Sequence, residues 1–174
     1  MSEAVLLRRV PVRMFLPESC ERVTPVIRRE REWEPGSTDW FLRNIRRGNT
    51  FVDVGAHAGY YTLIAAKVVG ELGRVFAFEP DPSNCAALRK NVEENGFRNV
   101  TVEQAAVADL SGRRRLYLNP KNTGDHRITD FDGCRSSLAV EVVTLDDYFR
   151  GCDSRVDLVK IDTQGAEIQI LTGA

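Results

Sequence analysis

"FVDVGAHAGYYT", residues 51–62, is a short β-branched run that ends in glycine, turns, and enters a helix. Tyr61, Ile64, Ala65 and Val68 recur at helical spacing until Gly70 supplies a stop. A strand, turn and helix of this kind open a βαβ unit, and the turn is where a nucleotide-like ligand meets the backbone. Gly55 and Gly59 leave room for that approach. The turn is nevertheless not a dinucleotide fingerprint. Counting Gly-x-Gly-x-x-Gly from Gly55 puts His57 and Tyr60 where the second and third glycines belong, so a pyrophosphate is hindered twice. A nucleoside without a pyrophosphate fits the pattern better, and an NAD-dependent oxidoreductase stays as an alternative.

Outward from this stretch, strand and helix patterns alternate. "RVFAFEP" (74–80) is a second strand. Asp81 then caps a helix with Pro82 at its first position, Cys85, Leu88 and Val92 on one face, and Asn95-Gly96 at its end. "NVTVEQAAV" (99–107) reads as one third strand, completing a βαβαβ series and hence a mostly parallel sheet with right-handed crossovers. "GRRRLYLNP" (112–120) and "SLAVEVVTL" (137–145) read as strands flanking the polar loop "KNTGDHRITDFDGCRS". A loop of that length in a compact domain is often functional. A short helix, "LDDYF", the apolar strand "VDLVKID" (156–162) and a helix in "QGAEIQILTGA" follow. Upstream of the first strand, Ser37 is the expected cap of a helix in "TDWFLRNIRRG", with Trp40, Phe41 and Ile45 as its apolar face. Residues 1–36 are expected to form an irregular or hairpin segment packed on a core domain of residues 37–174.

With 174 residues, 43% of them apolar, the chain is expected to form one globular domain. Its 24 basic and 25 acidic residues nearly cancel, so no bulk field favours nucleic acid or an anionic membrane, and neither is expected as a partner. No stretch approaches the length of a membrane span, and the N-terminus lacks the basic-then-apolar order of a signal peptide, which points to a cytoplasmic protein. Cys20, Cys85, Cys134 and Cys152 are scattered with no Cys-x-x-Cys pair and read as reduced thiols; no metal site is expected.

Three strand ends bring chemistry together at one edge of such a sheet: the turn after Asp53, Glu79, and Asp162. Glu79 lies 20 residues beyond Gly59, the separation of a carboxylate that accepts both ribose hydroxyls. The pattern Asp-x-Gly-x-x-x-Gly followed by an acid at the next strand's end resembles the cofactor site of class I S-adenosylmethionine-dependent methyltransferases. "FVDVGAHAGYYTLIAAK", "VFAFEPDPSN", "NVTVEQAAVAD", "VTLDDYF" and "VDLVKIDTQGAEIQILTGA", with "EWEP" at 32–35, stand in the order and spacing that resemble the FkbM family of methyltransferases, over roughly residues 30–174.

The resemblance implies a Rossmann-like α/β fold and S-adenosylmethionine as donor, with S-adenosylhomocysteine as product. It also implies O-methylation of a small molecule or glycan. It assigns Asp53, Gly55, His57, Gly59 and Glu79 to the cofactor and places Glu103 and Gln104 where they would border adenine. His57 stands where related blocks often have asparagine, and both residues tolerate positive φ, so it reads as a turn-former rather than a catalyst. Asp162 is the expected catalytic-side carboxylate, with helix capping as the rival reading, and His126 is a candidate general base if its loop folds over the cleft. Lys160, in an otherwise apolar strand, requires a carboxylate partner. Gln164 is neutral where the family often carries glutamate. Related domains continue through further strands beyond the point matching Ala174. The expected architecture is therefore a fold shortened on its C-terminal side, with an open edge available for a homo-oligomer or another partner. The alternative function is an inactive cofactor-binding fragment serving as an assembly module.

Overall fold

Strand β3 (Thr50–Val54) is buried along its whole length. Its neighbours explain this: it pairs in parallel with β4 (Arg74–Phe78) on one side and with β9 (Leu158–Ile161) on the other. β5 (Val100–Glu103) extends the sheet to the order β5-β4-β3-β9, all parallel. These relations come from a computed structural model of the chain, which describes residues 4–18, 20–128, 136–152 and 155–174. Both faces of β3 are covered, as a parallel central strand requires. Phe51 packs on one face with Leu63 and Ile64 of α3 (Tyr60–Val69) and with Phe41, Met14 and Ile27 from upstream. Val52 and Val54 pack on the other with Phe78, Leu145 and Ile170.

The helices begin where local chemistry predicts. Asp81 accepts hydrogen bonds from the amides of Ser83 and Asn84, and Pro82 opens α4 (Pro82–Glu94). Thr144 accepts from the amide of Asp147 and caps α5 (Leu145–Phe149). The chain leaves β3 toward β4 and β5, then returns to the opposite side of β3 as β9. This reversal of strand order opens a crevice at the carboxyl ends of β3 and β9.

Three expectations need correction. "NVTVEQAAV" is two strands, because after Glu103 the chain leaves the first sheet. Its Ala106–Val107 segment, β6, pairs with Val142 and Val143 of β8 (Ser137–Val143) in a second sheet of order β6-β8-β7, with β7 spanning Gly112–Tyr117. Ser37 does not cap the upstream helix, since α2 runs Pro35–Asn44 with Glu34 at its N-cap and Pro35 setting its first turn. The N-terminal segment contains a pairing of β1 (Val5–Leu6) with β2 (Arg13–Met14) and also a helix, α1 (Val23–Glu30). The last helix, α6, starts only at Glu167 and runs to Thr172. Part of the expected polar loop, residues 129–135 with Cys134, lies outside the described residues. Cys20 and Cys85 are buried free thiols, and Cys152 is exposed. No helix among the described residues is long and apolar enough to cross a membrane.

Candidate functional site

The crevice is built on an ion pair whose carboxylate is buried and whose ammonium is partly exposed. Asp53 and Lys160 are register partners on β3 and β9, and Lys160 Nζ lies 3.1 Å from Asp53 Oδ1. Thr62 Oγ1 donates to Asp53 Oδ2 at 2.7 Å, so each oxygen of this fully buried carboxylate has a partner. Lys160 Nζ also donates to the carbonyl of Gly55 at 3.1 Å. Asp53, expected to touch the cofactor, therefore underpins the turn from beneath. The partner that Lys160 requires is this aspartate.

Gly55 has φ +76°, and a Cβ there would stand 2.1 Å from the carbonyl oxygen of Asp162. Gly59, at φ +98°, caps α3, and a Cβ there would meet Leu88 Cδ1 at 2.4 Å. Gly55→Ala is expected to destabilise the chain by roughly 2 to 3 kcal/mol in urea unfolding. Gly48→Ala, at φ +83° with nothing within 4 Å, separates the backbone contribution from the collision. Equal losses for the two would show that β9 yields freely to the added methyl.

Glu79 projects from the end of β4 and is held by backbone amides, with His57 N–H donating to Oε2 at 2.8 Å and Asp81 N–H to Oε1 at 3.0 Å. Burial pushes its carboxyl above the ordinary range, against the opposing pull of His57 and these hydrogen bonds. His57 has φ 52°, the turn-forming conformation expected of it. Its Nε2 lies 2.9 Å from Thr123 Oγ1, on a short 3₁₀ turn, Thr123–Asp125. The same turn receives Asn84 Nδ2 on the Thr123 carbonyl at 3.1 Å. This strap borders a cavity of about 60 Å³ lined by Gly55, His57, Glu79, Ala106, Thr123 and Asp162, among others. A site for a nucleoside-sized ligand is several times larger, typically about 300 Å³ or more, so binding requires the strap to lift. Thr123→Val, which removes the contact with His57, is expected to speed cofactor association about fivefold in stopped-flow fluorescence, the worth of one hydrogen bond. An unchanged association rate would remove the strap as a barrier.

The remaining candidates are dispersed differently from the expectation. Glu103 Oε1 accepts from Tyr148 Oη at 2.7 Å, and Gln104 is exposed; the cavity wall beside them is made by Ala105, Ala106 and Val107 instead. His126 lines the cavity, where its Nδ1 accepts from the Asn119 amide at 3.0 Å and its Nε2 faces Asp81 Oδ2 at 3.8 Å. Asp162 lines the cavity with its carboxylate exposed, and its Oδ1 accepts from Gln164 Nε2 at 2.8 Å. The rival reading of Asp162 as a helix cap does not hold, since α6 has Ala166 at its N-cap and no side-chain cap, and Glu167 instead accepts from the amides of Thr163 and Gly165 in the turn before it. Sequence reasoning missed Thr62, Asn84 and Thr123. Only tertiary contact joins them to the site, and no spacing rule marks them.

These residues fit an S-adenosyl group. Glu79 is a buried acceptor at the end of β4, Gly55 and Gly59 keep the turn free of side chains, and Ala105 and Ala106 line the cavity with small apolar groups. No group of three or more potential metal-ligating side chains converges among the described residues.

Comparison with known proteins agrees with the geometry. The model for the Methyltransferase FkbM domain matches residues 53–174. A protein-L-isoaspartate O-methyltransferase of Aeropyrum pernix is 30% identical over 130 residues, covering 70% of this chain and 47% of that protein. A probable cobalt-precorrin-6B C(15)-methyltransferase (decarboxylating) of Sulfolobus acidocaldarius is 44% identical over 63 residues, 36% of this chain and 33% of that protein. The crystal structure of a putative rRNA-methylase from Clostridium thermocellum shares 30% identity over 40% of this chain and 38% of that one, with a TM-score of 0.39. The chain spans less than half the length of both curated relatives. The expectation of a small-molecule or glycan acceptor without nucleic acid is corrected here. One relative matched over 70% of the chain is named for a protein acceptor. The reason is physical: the matched portion shapes a donor site, and a near-neutral net charge excludes no class of acceptor. With the match running from Asp53 at the glycine turn to the last residue, the chain belongs to the FkbM family of S-adenosylmethionine-dependent methyltransferases.

Proposed function

We propose that the chain binds S-adenosylmethionine across the carboxyl ends of β3, β4 and β9 and transfers its methyl group to an oxygen acceptor. One observation carries this reading: Glu79, held by the His57 and Asp81 amides at the mouth of the glycine turn, lines the same cavity as Asp162. When bound, the cofactor supplies a methyl group already activated on a sulfonium, so the protein's work is alignment and handling of one proton. Glu79 accepts from the ribose hydroxyls. The Gly55 turn, fixed by Lys160, admits the ligand backbone-close. Asp162, exposed at the acceptor end, receives the hydroxyl proton. An oxygen acceptor is favoured because a carboxylate is the base available there, and one relative matched over 70% of the chain is named an O-methyltransferase.

Calorimetric titration with S-adenosylmethionine, S-adenosylhomocysteine and NAD tests the donor site. Binding of the first two without NAD is expected, and binding of NAD alone would overturn the reading. Asp162→Asn is expected to slow turnover while leaving S-adenosylhomocysteine affinity intact; equal rates would remove Asp162 from the catalytic list.

A further inference from the structure

Beside the small cavity lies a chamber of about 380 Å³ that shares Gly55, His57, Gly124, Asp162 and Gln164 with it. Its outer wall is apolar and aromatic, with Met14, Ile27, Trp33, Tyr60 and Tyr61. One feature marks this chamber as built for a ligand. Among the described residues, four non-glycine residues have positive φ, and three of them, Glu34, His57 and Gln164, stand in its wall. Backbone conformations of this kind cost energy and concentrate at functional sites.

Resting on the proposed methyl transfer, we infer that this chamber is the acceptor site and that it takes a planar ring bearing an ionisable hydroxyl, the chemistry of a phenol. The flat faces of Trp33, Tyr60 and Tyr61 suit a ring. The charged side chains around the chamber are Arg22, Glu34, Lys160 and Asp162. Arg22 is exposed at the rim, and Lys160 is bound to Asp53 and Gly55. Glu34 and Asp162 disfavour an acceptor that is already an anion.

The base also selects. His57 Nε2 is engaged by Thr123, and His126 faces Asp81, which leaves Asp162 at the shared wall. A carboxylate is too weak a base for an alkanol, but a phenolic proton, with a pKa of about 10, lies closer to its reach. Transfer forms the O–CH₃ bond, breaks the S–CH₃ bond, moves the hydroxyl proton to Asp162 and releases S-adenosylhomocysteine. Trp33 and Glu34 precede residue 53, where the family match begins, so the acceptor is selected by a segment outside the matched domain.

Trp33 offers a direct readout, because the chain has two tryptophans and the other, Trp40, is 59% exposed on α2. In Trp40→Phe protein saturated with S-adenosylhomocysteine, p-cresol is expected to change Trp33 emission saturably. At equal concentration, 4-methylcyclohexanol and 4-methylbenzoate are expected to leave it unchanged. With S-adenosylmethionine, mass spectrometry is expected to find the methyl ether of p-cresol or of the tyrosine in Gly-Tyr-Gly. Methylation of the peptide identifies a polypeptide side chain as the source of the ring, and methylation of p-cresol alone identifies a free phenol. If S-adenosylhomocysteine binds but p-cresol leaves Trp33 silent, or if 4-methylcyclohexanol binds equally well, this inference is overturned and the donor site stands. Failure of S-adenosylhomocysteine to bind overturns the proposed function itself.

Discussion

Lys160→Met is expected to destabilise the folded chain by about 3 to 5 kcal/mol, because it leaves the Asp53 carboxylate buried and without its counter-charge. Asp53 is fully buried, and in the variant its remaining bond would be to Thr62. For a chain of this size the loss corresponds to a fall in melting temperature of roughly 10 °C. The attraction between the two groups is not the main contribution. Removing both charges, in Asp53→Asn with Lys160→Met, is expected to restore much of the stability, since the large penalty comes from desolvating one charge alone. A double variant as unstable as Lys160→Met would refute this account. The single variant also frees the Gly55 carbonyl, so its residual folded fraction should bind S-adenosylhomocysteine more weakly.

Glu79→Ala is expected to weaken S-adenosylhomocysteine binding by roughly 1 to 3 kcal/mol, about 5- to 150-fold, the loss of charge-assisted hydrogen bonds to ribose. The pH dependence carries the same signature. Burial raises the Glu79 carboxyl above its ordinary value, and the ionised form is the better acceptor for two hydroxyl donors. Affinity should therefore be full above this raised value and fall as pH drops through it, earlier than for an exposed glutamate. For folding the sign is reversed. A carboxyl whose folded value is raised disfavours the folded state at higher pH and ceases to do so once protonated. Calorimetry of the wild type and Glu79→Ala across the mildly acidic range separates the two effects. A wild-type affinity that stays flat with pH while the variant loses binding would place the ribose on Glu79 without requiring its ionisation, and unchanged affinity in Glu79→Ala would place the ribose elsewhere.

Part of the fold was legible because it depends on neighbours in sequence. The β-branched run from Phe51 to Val54, the glycines of the turn, the Asp81 cap with Pro82 and the short Leu145–Phe149 helix are all specified within a few residues. His57 belongs to the same class, since positive φ is a local matter. The Ser37 cap failed because Pro35, two residues earlier, already starts the helix. The 99–107 strand failed because Ala106 and Val107 find their partners on β8, more than thirty residues away, and no local pattern announces a change of sheet.

The site divides along the same line. From the sequence alone came a glycine turn unsuited to a pyrophosphate, an acid at the end of the next strand, and the family to which both belong. These are properties of one βαβ unit. Only the tertiary structure paired Lys160 with Asp53, brought Thr123 onto His57 across 66 positions, moved Glu103 onto Tyr148, and set Trp33 and Tyr61 around one chamber. Each of these depends on burial and through-space distance between segments far apart in the chain, and the residue types at those positions are equally at home on an ordinary surface.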